Sequence, residues 1–257
     1  MGIIKVGTCG WSIKGGRKNY FKVFKLIEIQ QTFYKLPRVE TSRKWRMEAP
    51  QDFDYTMKAW QVVTHPPSAP SWRRAGLKID ASARDKYGFL KPTEENLKAW
   101  EETLEVAKGL KASVIVVQTP PSFGFSEENV KNVETFFSTV KRNGIDLGWE
   151  PRGTWNSHLD VVKKLVDSLD IIHIVDVLRR DSVSAHDVAY FRLHGLGGKE
   201  VNYRYKYTDE DLELLLNKVR RYAEEKSLVY ILFNNVFMGE DAQRFKALAK
   251  AKGLEVI

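Results

Sequence analysis

Eight short apolar runs punctuate the chain, and most of them stop at a charged or amide residue. They cover residues 3–6, 26–29, 55–57, 114–117, 145–149, 171–175, 188–193 and 229–233. Cys9, Gln30, Lys58, Gln118, Glu150, Asp176, His194 and Asn234 follow them. Between most of the runs lies a polar-apolar segment with helical spacing. That alternation predicts an α/β fold, a (β/α)8 TIM barrel over residues 1–257, with strand ends that converge on one polar mouth. The pattern locates a site without naming a reaction.

The helices are signalled by their caps. Thr93 is placed to cap a helix over 94–110, with Leu97, Trp100, Leu104 and Ala107 on one face. Ser126 precedes a helix with Val130, Val133, Phe137 and Val140, and Ser157 one with Leu159, Val162, Leu165 and Leu169. Thr208 with Asp211 has the spacing of a capping box, and Leu212, Leu215, Leu216, Val219 and Ala223 follow as a stripe. A last helix over 240–250 buries Ala242, Phe245 and Leu248. The crossovers 9–26 and 176–188 are short and predict thin first and sixth helices. The 64–92 stretch after the third strand is long. It suits a lid or binding element, or a solvated insertion with some helix of its own.

The 257 residues match the size of one such barrel, about 250 residues, and so predict a single domain. No apolar run approaches the roughly 18 residues of a membrane helix, and the start of the chain lacks a signal-peptide pattern. A cytoplasmic protein without membrane contact is expected, and a monomer. One cysteine excludes an internal disulfide and a cysteine-based zinc site. A net charge of +8 favours anionic partners, nucleic acid among them, or reflects a lysine-rich surface alone. No glycine-rich strand-turn-helix fingerprint is present, so no dinucleotide is expected, and no other cofactor either.

Specific residues then match a known family. Thr8-Cys9-Gly10-Trp11-Ser12 follows the first strand, and Glu28 to Tyr34 with Leu36-Pro37 ends the second. Lys58 and Thr64-His65 follow the third, and Gln118 to Phe123 the fourth. Glu150-Pro151-Arg152 with Trp155 follows the fifth, Arg192 to Gly195 ends the seventh, and Phe233-Asn234-Asn235 the eighth. The set resembles the YecE-like family, domain of unknown function 72, over nearly the whole chain. That resemblance implies a TIM barrel distantly similar to the endonuclease IV and xylose isomerase superfamily. Cys9 stands where the family commonly has Ser, and Gln30-Gln31 where it has Asn-Ser.

Glu150 and Arg152 share one side of a continuing strand, which suits a general base or acid beside a cation, or a structural ion pair. Arg192 and His194 share that spacing and offer a planar fork and a proton shuttle, or a cap on the barrel core. Lys58 suits an anion. It also suits an ion pair with Glu28 or Glu150. Asp176, Gln118 and Asn234 are polar strand-end groups for substrate recognition. Trp11, Phe33, Tyr34, Phe123 and Trp155 suit stacking on sugars or bases, or rim packing. Tyr203 lies in the basic-aromatic stretch 199–207, which suits single-stranded nucleic acid or a plain amphipathic extension. Gly195-Leu196-Gly197-Gly198 follows the seventh strand, where many barrels bind phosphate. Asp176, Glu150 and His194 have metal-ligand chemistry, but Lys58, Arg152 and Arg192 would repel a cation, so no metal is expected.

The function expected is an enzyme, a hydrolase, lyase or isomerase, doing metal-independent acid-base chemistry on a phosphate-bearing nucleic acid or sugar. Glu150 and His194 are its catalytic candidates. Lys58, Gln118, Arg152, Asp176, Arg192, Asn234, Trp11, Tyr34 and Tyr203 are its substrate-binding candidates. A non-catalytic nucleic-acid-binding protein and a metal-dependent nuclease- or isomerase-like enzyme are the alternatives.

Overall fold

The computed structural model describes residues 1–198 and 200–257. Eight parallel strands, β1 Ile3–Cys9, β2 Leu26–Ile29, β3 Asp54–Lys58, β4 Val114–Gln118, β5 Asp146–Glu150, β6 Ile172–His173, β7 Val188–Leu193 and β8 Leu228–Phe233, form one sheet. Their order is β6-β5-β4-β3-β2-β1-β8-β7. From β1 to β6 the order follows the chain, and β8 returns to β1 with β7 beside it, the strand order of a (β/α)8 barrel. The helices are α1 Arg17–Val23, α2 Gln31–Tyr34, α3 Val39–Glu48, α4 Gln61–Thr64, α5 Pro70–Ala75, α6 Glu94–Leu110, α7 Glu127–Thr139, α8 Leu159–Ser168, α9 Asp209–Glu225 and α10 Met238–Ala251. Among the described residues no helix is long and apolar enough to cross a membrane. The chain resolves into two compact units. One holds Met1–Glu28, Glu48–Tyr55 and Ile172–Ile257, and the other Ile29–Met47 and Thr56–Ile171.

In the first unit β1 pairs with β2 from Gly7↔Leu26 to Cys9↔Glu28, and with β8 from Ile3↔Leu228 to Thr8↔Phe233. A Cβ on Gly7 would lie 2.2 Å from the Leu26 carbonyl oxygen, so this approach of β1 to β2 requires glycine. The thin α1 is pinned by one side chain. Tyr20 Oη accepts from the Thr8 N–H at 3.0 Å and donates to the Leu26 carbonyl at 2.9 Å. The expected capping box is present at α9, formed by Thr208 and Asp211.

The thin sixth helix is absent. The 171–175 run yields only Ile172–His173 as strand, then a single parallel bridge, Val175↔Phe191. Its crossover is irregular chain held by polar side chains, which compete with helix for the backbone. Asp176 accepts from the Leu178 N–H at 3.1 Å, and Ser182 donates to the His173 carbonyl at 2.9 Å. Tyr222 of α9 accepts from the Ser182 N–H at 2.8 Å.

In the second unit β4 pairs with β3 from Thr56↔Val114 to Lys58↔Val116. It pairs with β5 from Val114↔Asp146 to Gln118↔Glu150. Thr93 and Ser126 cap α6 and α7, whereas α8 starts at His158 without a side-chain cap. The 64–92 stretch carries α5 and a short 3-10 turn over Ala81–Lys86, and its two ends are zipped together. Gly88, Phe89 and Leu90 donate to the carbonyls of Val62, Thr64 and Val63. Asn96, wholly buried in α6, accepts from the Gly88 N–H and donates to the carbonyls of Gly88 and Lys91. The stretch is thus a clamped lobe with helix of its own.

Candidate functional site

Residues at the strand ends gather into a cluster in each unit. In the second unit, register places Gln118 and Glu150 side by side on β4 and β5. Arg152 lies just past β5 and folds back, its Nε donating to Glu150 Oε1 at 2.8 Å. Its Nη2 lies 2.7 Å from the same oxygen. Both side chains are mostly buried, so this pairing is screened less than a surface salt bridge. Lys58, buried at the end of β3, donates to Gln118 Oε1 at 3.1 Å. Its ammonium also lies 3.9 Å from the centre of the Phe33 ring, a cation-π contact. Phe33 is fixed by its neighbour, because Thr32 Oγ1 donates to the Lys58 carbonyl at 2.7 Å. Glu150, Arg152, Gln118 and Lys58 are four of the eleven residues expected at one polar mouth, and these four come together here.

His65, expected only as part of the Thr64-His65 segment, also belongs to this cluster. Its ring meets Phe33 edge-on at 4.9 Å, and its Nδ1 lies 2.8 Å from Thr64 Oγ1. Its carbonyl accepts from the Trp72 indole at 2.9 Å. Burial, then the charges of Lys58 and Arg152, lower its pKa to about 3, so the imidazole is neutral near pH 7. The adjacent Thr64-His65 pair, just beyond Lys58, was the available signal.

In the first unit Arg192 is wholly buried, and its fork closes on Glu28. Nε donates to Oε2 at 3.0 Å and Nη2 to Oε1 at 2.9 Å. Tyr190 Oη adds a 2.7 Å bond to Oε2. This pair differs from the expected anion anchor, since the Nε–Nη2 edge of the guanidinium already meets a carboxylate. Arg192 Nη1 lies 3.4 Å from His194 Nε2. A guanidinium only donates, so this contact makes Nε2 the acceptor and directs any ring proton to Nδ1. Asp176 Oδ2 accepts from the His194 backbone N–H at 2.9 Å and orders the loop after β7. Glu28 was legible as the single charge inside the second apolar run.

The remaining candidates scatter. Trp11 packs edge-on against Tyr20, Phe21 and Tyr55, and the wholly buried Phe123 and Trp155 stack on each other. Tyr34 is exposed. Asn234 is half-buried, its backbone N–H bonded to the Leu193 carbonyl. The Asn235 amide donates to Asp241 and to the Tyr205 carbonyl, tying the chain before α10. In the basic-aromatic stretch, Lys199 lies outside the described residues. Tyr203 is exposed, Tyr205 donates to Asp211, and Tyr207 is buried, so the interleaving is half core packing. Gly195, at φ 83°, turns with its N–H bonded to Tyr207 Oη and its carbonyl accepting from Arg179. Among the described residues, no three His, Cys, Asp or Glu side chains come together as a metal-ligand set.

A family model described as a protein of unknown function, DUF72, matches residues 5–256. The UPF0759 protein YunF of Bacillus subtilis is 23% identical over 264 residues, covering 92% of this chain and 86% of its own. The crystal structure of a DUF72 family protein from Enterococcus faecalis superposes with a TM-score of 0.74 at 17% identity, over 99% of each chain. Endonuclease IV from Thermus thermophilus reaches a TM-score of 0.46 at 13% identity, over 96% of this chain and 99% of its own. The likeness to DUF72 structures is one of fold, and the likeness to the endonuclease is looser still.

Proposed function

The chain belongs to the DUF72 family, and we propose that this member is an enzyme acting on a phosphate-bearing substrate by acid-base chemistry of its own side chains. The observation that carries this reading is the strand-end set of Lys58, Gln118, Glu150 and Arg152. It offers one carboxylate flanked by two fixed cations, in a mostly buried setting. Ammonium and guanidinium groups draw in an anionic group, and low polarity strengthens the attraction. A carboxylate bonded to a guanidinium is an acceptor, so Glu150 is assigned as general base. Gln118 supplies a neutral amide beside both charges. The same two cations disfavour a divalent ion here, which supports chemistry without a resident metal. Nucleic acid and phosphorylated sugar both fit as substrates.

The test is a screen of phosphorylated sugars and short oligonucleotides for turnover, followed by 31P NMR. Glu150→Gln is expected to lose about 100-fold or more in turnover while retaining binding of inorganic phosphate. Undiminished turnover in that variant would remove the assignment.

A second reading is a nucleic-acid-binding protein without catalysis. It is favoured by exposed Tyr203 beside exposed Arg204 and Lys206, in a chain of net charge +8. Such binding would weaken steeply with salt, and an affinity unchanged between low and high salt would count against it.

A further inference from the structure

We infer that His65 is a third binding residue of this cluster, one that joins the anion in its protonated form, so that anion and proton bind together. The inference rests on the anion-binding reading of Lys58 and Arg152 and deepens it. Its basis is geometric. One Phe33 ring carries the Lys58 ammonium 3.9 Å from its centre and the His65 imidazole at 4.9 Å. That ring holds both groups in one neighbourhood. The imidazole is also fixed by Thr64 at Nδ1, and its backbone is held by the Trp72 indole on its carbonyl. Gly88 presses from behind, where a Cβ would lie 2.6 Å from the His65 carbonyl carbon. The Thr64 bond and the Phe33 contact therefore restrain the imidazole beside the ring that also carries Lys58.

The described charged groups in this cluster are Lys58 on β3 and Glu150 with Arg152 at the end of β5. The neutral neighbours are Gln118 on β4, Thr64 on α4, Phe33 on α2 and Trp72 on α5. Without an anion, burial and the two cations keep the imidazole neutral. A dianion held between Lys58 and Arg152 offsets both repulsions and leaves only burial opposed to the charge. A proton from solvent then adds to the ring, and His65 presents a third positively charged N–H group to the ligand. By linkage, what raises the proton affinity of His65 on anion binding must equally raise anion affinity as pH falls. The ligand class that benefits most is a compact dianion, such as a phosphomonoester.

Inorganic sulfate is the probe, because it stays a dianion where phosphate changes charge. His65 is followed by NMR in the wild-type protein, with and without saturating sulfate, and is assigned by its loss in His65→Asn. The expected result is a rise of about three pKa units on sulfate binding, to about 6. Sulfate affinity should also increase by about tenfold from pH 8 to pH 5 in the wild type, and not in His65→Asn. Sulfate that binds while the His65 titration stays unmoved overturns the inference and leaves the anion site standing. A pH dependence retained in His65→Asn assigns the coupling to Glu150 and overturns it too. No sulfate binding at any pH removes the anion site and the inference together. Should His65→Asn fail to fold, His65→Gln supplies both the assignment and the pH control.

Discussion

Each unit holds an arginine and a glutamate at its strand ends, and the two pairs differ in how they are made. Arg192 meets Glu28 through two N–H groups on two oxygens, with side chains 1% and 0% exposed. The partners lie 164 residues apart in sequence. Arg152 meets Glu150 two residues away, through two nitrogens on one oxygen, with 12% and 8% exposure. The first pair closes the fold across distant strands and leaves the charges no access to water. The second is local, so folding depends on it less and a ligand can compete for it. A buried ion pair therefore signals function poorly by itself. Its access and its distance along the chain separate structural from chemical use.

The sharpest way to break that contrast is stability. Arg192→Met strands Glu28 among buried groups and is expected to cost about 3–5 kcal/mol. Arg152→Met should cost at most about 2 kcal/mol, since its partner keeps some solvent. Urea unfolding of both variants measures the difference, and equal losses would abolish the distinction. Anion affinity should run the other way. Arg152→Met is expected to weaken sulfate binding about tenfold, or about 1.4 kcal/mol, as followed by calorimetry. A charge-keeping change at the first pair, Arg192→Lys, should leave it within about threefold.

A further effect is set by pH. His65 has a folded-state pKa of about 3, below its ordinary value of 6.5. Its neutral form therefore contributes stability that is complete above about pH 6.5. That contribution is lost as pH falls from there towards about 3, because the unfolded chain takes the proton first. The slope is at most about 1.4 kcal/mol per pH unit from this group. The difference between wild type and His65→Asn in urea unfolding isolates it. A difference that stays constant with pH would mean that His65 is not held neutral.

The strands were legible because parallel strands covered on both faces read as unbroken apolar runs, and α6, α7 and α9 because their caps are local. The sixth crossover was not, since serine, aspartate and histidine side chains there satisfy the backbone without helix. The end of β6 also reads as strand in composition while making a single bridge. At the candidate site, Lys58, Gln118, Glu150 and Arg152 were legible as strand-end residues at fixed spacing. The roles of Glu28 and His65 were not, because each depends on neighbours distant in sequence. Glu28 meets Tyr190 and Arg192, and His65 meets Phe33 and Trp72.

The clamp beneath the third-strand lobe has a consequence for how such a chain can vary. Because the backbone of His65 already touches that of Gly88, residues 66–87 leave and return through nearly the same point. Loop-closure cost grows slowly with length, so a stretch rooted this way can be lengthened, shortened or exchanged for a foreign segment at small energetic penalty. The lobe is a natural graft point, where new binding specificity can be added while the strand that carries Lys58 stays in register.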